Sequence, residues 1–241
     1  MGADFCCDSA HKTLPVLTGG AYLHISNNAP SFFEQNAEKA MSVFASTSPS
    51  YLILGSLDNF NKIATDGFND KLNLVVKKLD EIKISLIENG YSLVGNEPLR
   101  ITILSKSYGY KGNELASLLE NNKIIPEFYD NDFLVLMFST ETKISDIEYV
   151  CGFLLSVPKK AEIKEKPPEF SEMKIGMTPY EALFSASESV PTEQAEGRIL
   201  ASPCVACPPA VCVAVFGEIL NSSAIEMFKY YGINDVLVVK E

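Results

Sequence analysis

The spacing of apolar residues changes period several times along the chain. Residues 3–7 (ADFCC) and 21–26 (AYLHIS) read as two short strands. Between them, DSAHKTLPVLTGG contains Pro15, Gly19 and Gly20, which favour a loop over a helix. Helical spacing then takes over. Residues 30–46 follow the helix-start signal Asn28-Ala29-Pro30. Residues 49–66 place Leu52, Ile53, Leu57, Phe60 and Ile63 on a helix, and 68–89 do the same with Leu72, Val75, Val76, Leu79, Ile82, Leu86 and Ile87, ending at Gly90. Residues 99–106 (LRITILSK) alternate like a strand, 110–124 read as a helix, and 127–140 as two strands around Asp130-Asn131-Asp132. With a further helix at 143–157, this is a β-α-β-β-α pattern, the mark of a small α+β domain. Residues 158–174 are charged and proline-containing, and read as a linker or exposed loop. After them come a helix in TPYEALFSAS, an irregular Pro- and Cys-rich stretch at 202–218, a short helix at 222–231, and the strand DVLVVK.

Composition narrows the function classes. The 241 residues are 46% hydrophobic and 21% charged, enough apolar content for a substantial core. No apolar run reaches the roughly 20 residues of a membrane helix, and the polar, acidic start does not resemble a signal peptide, so a cytoplasmic protein is expected. A formal charge of −11 argues against nucleic acid or anionic membranes as partners and mildly favours cationic small molecules. Of the six cysteines, Cys204-x-x-Cys207 with Cys212 invites a zinc reading. Structural zinc takes four paired Cys or His ligands, and His11 and His24 are far away in sequence, so buried small hydrophobes are the expectation and no metal is assigned.

The informative motif is Ser9-Ala10-His11-Lys12. A lysine that forms a Schiff base must lose its proton readily, which partial burial or a neighbouring cation promotes. A hydroxyl three residues earlier and an adjacent imidazole could serve a phosphate. On spacing alone, a solvated lysine after a strand accounts for the same four residues.

The segment GADFCCDSAHKTLPVLTGGAYLHI resembles the cofactor-lysine segment of the bacterial ornithine/lysine/arginine decarboxylases. STSPSYLILGSLD (46–58), EFYDNDFLVLMFST and 177–220, with Gly-Arg-Ile, Pro-Pro and Gly-Glu elements, resemble later blocks of that family in the same order. The resemblance implies a fold of class α/β plus α+β, in four parts. These are the C-terminal part of an aspartate-aminotransferase-like large domain (1–90), a small α+β domain (91–158), a linker (159–176) and a C-terminal decarboxylase domain (177–241). It implies pyridoxal 5'-phosphate as cofactor, Lys12 as the Schiff-base lysine, and Ser9 and His11 at the cofactor phosphate. It further implies a lyase of polyamine biosynthesis that decarboxylates a basic amino acid, acting as a homodimer or higher oligomer. Thr47, in the Ser46–Ser50 segment, is a further phosphate candidate, while Ser48 before Pro49 reads as a helix N-cap. Glu218 is either a surface carboxylate or a recogniser of a distal ammonium or guanidinium.

Two departures qualify the match. Pro208-Pro209-Ala210 stands for the family's Pro-Pro-Gly, and Phe216-Gly217-Glu218 for its Pro-Gly-Glu. Family members also carry a long region ahead of the lysine that supplies a phosphate turn, a ring-stacking side chain and an Asp for the pyridine nitrogen. Asp4 and Asp8 are poor stand-ins for that Asp. A fragment of a longer product, one half of a split enzyme and an inactive interaction module all fit this arrangement, and a truncated large domain is expected to expose apolar surface.

Overall fold

A computed structural model describes residues 2–202, 204–205 and 212–240. Its elements in chain order are β1 (Phe5–Asp8), β2 (Tyr22–Ile25), α1 (Ser31–Phe44), α2 (Tyr51–Thr65), α3 (Phe68–Glu88), β3 (Leu93–Val94), β4 (Arg100–Leu104), α4 (Gly112–Asn121), β5 (Phe128–Tyr129), β6 (Phe133–Met137) and α5 (Ile144–Ser156). They continue with β7 (Lys174–Ile175), α6 (Pro179–Phe184), β8 (Ser187–Pro191), β9 (Cys204–Val205), β10 (Cys212–Ala214), β11 (Glu218–Ile219), α7 (Ser222–Tyr230) and β12 (Asp235–Val239). The fold is mixed α/β, in two compact units. One comprises Met1–Ser85, Asn96–Arg100 and Met137–Leu154, and the other Leu86–Gly95, Ile101–Leu136 and Leu155–Glu241. No described helix is long and apolar enough to cross a membrane.

In the first unit β1 and β2 pair antiparallel, from Phe5 opposite Ile25 to Asp8 opposite Tyr22. Val75, Leu79 and Ile82 bury one stripe of α3, as their spacing predicts. Ion pairs Lys71–Glu141 and Lys78–Glu148, both 2.6 Å, tie α3 to α5 and the turn before it. In contrast, α1 and α2 bury no residue. Phe44 is 91% exposed, Tyr51 85% and Leu52 76%. One sequence expectation is corrected here: Ser50, not Ser48, caps α2, with its hydroxyl accepting from Ile53 N. Pro49 therefore precedes the cap rather than opening the helix.

The second unit holds a four-stranded sheet in the order β3-β4-β6-β5. Alternation along β4 and β6 buries Ile101, Ile103, Leu134 and Leu136, and α4 contributes Leu115, Ala116 and Leu119 to the core. The turn between β5 and β6 is built by Asp130, whose carboxylate accepts from Asp132 N and Phe133 N, both at 2.7 Å. Burial nonetheless pushes the Asp130 carboxyl up from its usual range.

The charged segment after α5 is exposed as expected, yet it is laid along the unit. Lys160 N donates to Tyr108 O at 3.1 Å and Ile163 N to Lys106 O at 3.0 Å. The Tyr108 and Tyr110 hydroxyls donate to the Val157 and Pro158 carbonyls. Gly109 lies at φ +91°, and a Cβ there would stand 2.7 Å from Ala161 O, so the close approach of this segment requires glycine.

A second core, with Leu200, Val213, Leu220, Phe228, Val236 and Val238 at its centre, underlies the last third of the unit. Here the expected helix in TPYEALFSAS is shorter than its spacing suggests. It ends at Phe184, and Ser187–Pro191 form β8, paired antiparallel with β12. Its start is fixed by Thr178, which accepts from Glu181 N while Glu181 accepts from Thr178 N. The irregular 202–218 stretch includes short strands β9, β10 and β11. Pro208-Pro209-Ala210 and Cys207 lie outside the described residues.

Candidate active site

The strand order Phe5–Asp8, loop, Tyr22–Ile25 makes Lys12 the end of a single 3-10 turn, Ala10–Lys12. Lys12 N donates to Ser9 O at 3.1 Å, which closes the turn and sets Ser9, His11 and Lys12 around it. Ala10, the one apolar residue of the turn, is buried, while Ser9 and Lys12 are exposed. The burial of a small side chain beneath an exposed hydroxyl and amine is what separates this turn from a merely solvated loop.

His11 is fixed from both its backbone and its ring. His11 N donates to Gly20 O at 3.3 Å, and Nδ1 lies 3.1 Å from the same oxygen. A carbonyl can only accept, so the proton of the neutral ring sits on Nδ1 and Nε2 is left as an acceptor. The imidazole can therefore donate to an anion only through Nε2, and only when protonated.

Helix α2 braces the loop from behind. Ser56 Oγ accepts from Leu17 N at 3.1 Å, and the Tyr22 hydroxyl donates to Leu57 O at 2.7 Å. A Cβ on Gly20 would meet Leu57 Cδ2 at 3.2 Å, so the loop's last residue packs directly on the helix. Burial, and then the Asp58 charge, push the Tyr22 phenol up from its ordinary value. The sequence pattern marks Leu57 only as an apolar helix position and does not mark Ser56. A serine among the apolar positions of a helix is a weak signal, and only the fold shows that its hydroxyl holds the loop.

Of the carboxylates on the flanking strands, Asp8 pairs with His24 at 3.0 Å and accepts from the Cys6 thiol at 3.3 Å, and this bond raises the thiol's pKa. Asp4 is exposed. Thr47 is exposed in the α1–α2 connection, beside Ser48 N, which donates to Ser46 Oγ. Glu218 belongs to the other unit, on β11, where its carboxylate accepts from Val215 N at 2.8 Å. That bond braces the turn at Gly217, whose φ is +85°. Among the described residues no group of three His, Cys, Asp or Glu could hold a metal ion.

The chain is similar to known proteins over most of its length. Residues 2–102 match the model of the Orn/Lys/Arg decarboxylase major domain. The chain is 29% identical over 247 residues to YaaO of Bacillus subtilis, an uncharacterised protein, covering 94% of this chain and 50% of the relative. It is 26% identical to an arginine decarboxylase of Bacillus subtilis, over 93% of this chain and 49% of that one. Among solved structures, a lysine decarboxylase of Francisella novicida aligns with TM-score 0.64 at 15% identity, and lysine decarboxylase A of Pseudomonas aeruginosa with TM-score 0.68 at 14%. Each alignment covers 98% of this chain and 49% of the other. The chain thus spans about half the length of the curated relatives it matches. Residues 2–102, which include the Lys12 loop, are thus similar to the Orn/Lys/Arg decarboxylase major domain.

Proposed function

We propose that the chain forms part of a pyridoxal-phosphate-dependent decarboxylase acting on ornithine, lysine or arginine in the cytoplasm, with Lys12 as the cofactor lysine. The observation that carries this reading is the braced turn, which presents a hydroxyl, an imidazole and an amine together over a buried alanine. That donor set suits a phosphate and an aldehyde. Bound pyridoxal phosphate would supply an electron-accepting ring for the electrons left when carbon dioxide departs.

The chain's own residues have separable tasks in this reading. The Lys12 amine would hold the cofactor at its aldehyde, with loss of water. The Ser9 hydroxyl donates to the phosphate, with Thr47 as a second donor. His11 holds the loop closed through Nδ1 and reaches the phosphate only as the imidazolium. Glu218 offers its remaining carboxylate oxygen to a basic side chain. In the same reading residues 1–90 are the remnant of an aspartate-aminotransferase-like large domain, 91–158 a small domain, 159–176 a linker and 177–241 the C-terminal domain. The carboxylate that would keep the ring nitrogen protonated is not assigned to β1 or β2, where Asp8 lies 3.0 Å from His24 Nε2.

The test is to mix the purified chain with pyridoxal phosphate, follow yellow absorbance, reduce with borohydride and map the labelled peptide. Labelling concentrated at Lys12, lost in Lys12→Ala, is the expected result. Label scattered over surface lysines would sink the claim that this chain binds the cofactor.

The exposure of Phe44, Tyr51 and Leu52 favours a companion reading, in which the chain works within an oligomer, as a homodimer or as one half of a split enzyme, or serves assembly alone. Sedimentation at micromolar concentration tests self-association: a monodisperse monomer counts against the homodimer.

A further inference from the structure

The second unit contains a cavity of about 470 Å³ that none of the family-implied residues lines. Its walls include Leu104, Phe133, Ile163, Pro167 and Tyr231, and it also reaches Lys106 and Asp132. Those last two are buried, 4% and 5% exposed. Lys106 Nζ lies 2.9 Å from Asp132 Oδ1 and donates to Glu165 O at 3.0 Å. It also bonds the Tyr230 hydroxyl, which donates to Asp132 Oδ1 at 2.7 Å. Every one of these donors that meets Asp132 meets Oδ1. Oδ2 is buried and has no hydrogen-bond partner among the described residues.

The chemistry of that atom selects a ligand. A carboxylate accepts only, so whatever completes it must donate. Around the cavity the charged groups balance, with Lys106, Lys164 and Lys166 against Asp132, Glu162 and Glu165. Net charge therefore does not choose, and the unsatisfied buried oxygen does. An ammonium brings three donors and a full positive charge to it, and charge-assisted bonds of this kind are the strong ones. An anion would meet Asp132 with nothing to accept from. Oδ2 is covered in this structure, so a ligand reaches it only as the carboxylate turns about its broad terminal torsion.

We propose that this cavity binds a primary amine with an apolar body, its ammonium on Asp132 Oδ2 and its carbon chain against Leu104, Phe133, Ile163, Pro167 and Tyr231. The amine product of the proposed decarboxylation falls within this class, and that link alone rests on the functional reading. Binding itself needs neither cofactor nor catalysis, so its failure and the failure of the functional reading are separately visible.

The experiment titrates the full chain, without cofactor, with hexylamine, 1,5-diaminopentane, hexanol and hexanoate while recording amide chemical shifts. Saturable shifts at Asp132, Phe133 and Ile163 with the amines are expected, with at least tenfold weaker binding of hexanol and hexanoate. Ile163→Trp fills the cavity while leaving both residues of the ion pair in the sequence, and is expected to weaken hexylamine at least tenfold. Asp132→Asn should do the same where circular dichroism shows it folded. Absence of saturable shifts, equal binding of hexanoate or hexanol, or an unaltered affinity in Ile163→Trp would each overturn the proposal.

Discussion

Replacing Lys106 by methionine keeps a long apolar stem and removes the charge. Asp132, 5% exposed, would then keep the Tyr230 hydroxyl and lose its cationic partner. Removing one partner of a buried pair costs about 3–5 kcal/mol, because the remaining charge is left uncompensated. A domain's whole stability is about 5–15 kcal/mol, so the second unit should be brought close to unfolding. With a urea slope of roughly 2 kcal/mol per molar, a loss of about 4 kcal/mol moves the midpoint down by about 2 M. The chain has no tryptophan, so urea unfolding is followed by tyrosine fluorescence and far-ultraviolet circular dichroism. Tyr91, Tyr108, Tyr110, Tyr230 and Tyr231 all report on this unit. The double variant Lys106→Met, Asp132→Leu removes both charges and should recover most of the loss. A midpoint for Lys106→Met within about 0.5 M of the parent, or a double variant no better than the single one, would refute the claim that this pair is held dry and coupled.

Other substitutions separate local effects. Gly217→Ala forces φ +85° on an L-residue and sets a Cβ 2.1 Å from Met177 O, so a loss of about 2 kcal/mol or more is expected in thermal unfolding. Thr178→Ala removes the α6 cap and should cost about 1 kcal/mol by urea titration. The Glu181 carboxyl is held below its usual range chiefly by bonds from Thr178. A lowered folded value means that its contribution is present above the ordinary carboxylate range and is lost as pH falls through the folded value. The Thr178→Ala penalty should therefore shrink on acidification below about pH 4.5, measured by melting at stepped pH. Ser56→Ala leaves Leu17 N without its acceptor and should speed amide exchange at Leu17 and lower cofactor labelling at Lys12, with the global melt nearly unchanged.

Much of this fold is legible in the sequence because its elements carry strong local periods. The stripe Val75, Leu79, Ile82 and the alternation Ile101, Ile103 and Leu134, Leu136 are buried where their spacing places them. What escapes is set by partners distant in sequence. Ser187–Pro191 is a strand because residues 235–239 pair with it, and its own exposed-intermediate pattern offers no apolar alternation to announce that. The cap of α2 is displaced from Ser48 to Ser50 for a similar reason, since two serines flank Pro49 and local chemistry suits either. The buried Lys106–Asp132 pair was hidden in plain elements, as the last residue of an apparent strand and the last of an apparent turn. A lysine that closes an alternating apolar run is normally solvated, and only the segment passing over it, with Ile163 N on Lys106 O, removes it from water.

The same distinction governs the Lys12 loop. Ser9, His11 and Lys12 were readable as a motif, but what makes them a site is supplied elsewhere: Gly20 O fixes the imidazole, and Ser56 and Leu57 fix the loop. Because the Nδ1 proton of the neutral ring is committed to Gly20, a phosphate beside His11 can be met by Nε2 only in the imidazolium form. Cofactor affinity should then need the charged ring. His11→Gln tests this, since a neutral amide can donate to Gly20 O but cannot carry that charge. Cofactor affinity should fall in His11→Gln while Lys12 labelling persists. An unchanged affinity in that variant would leave His11 a purely structural brace of the loop.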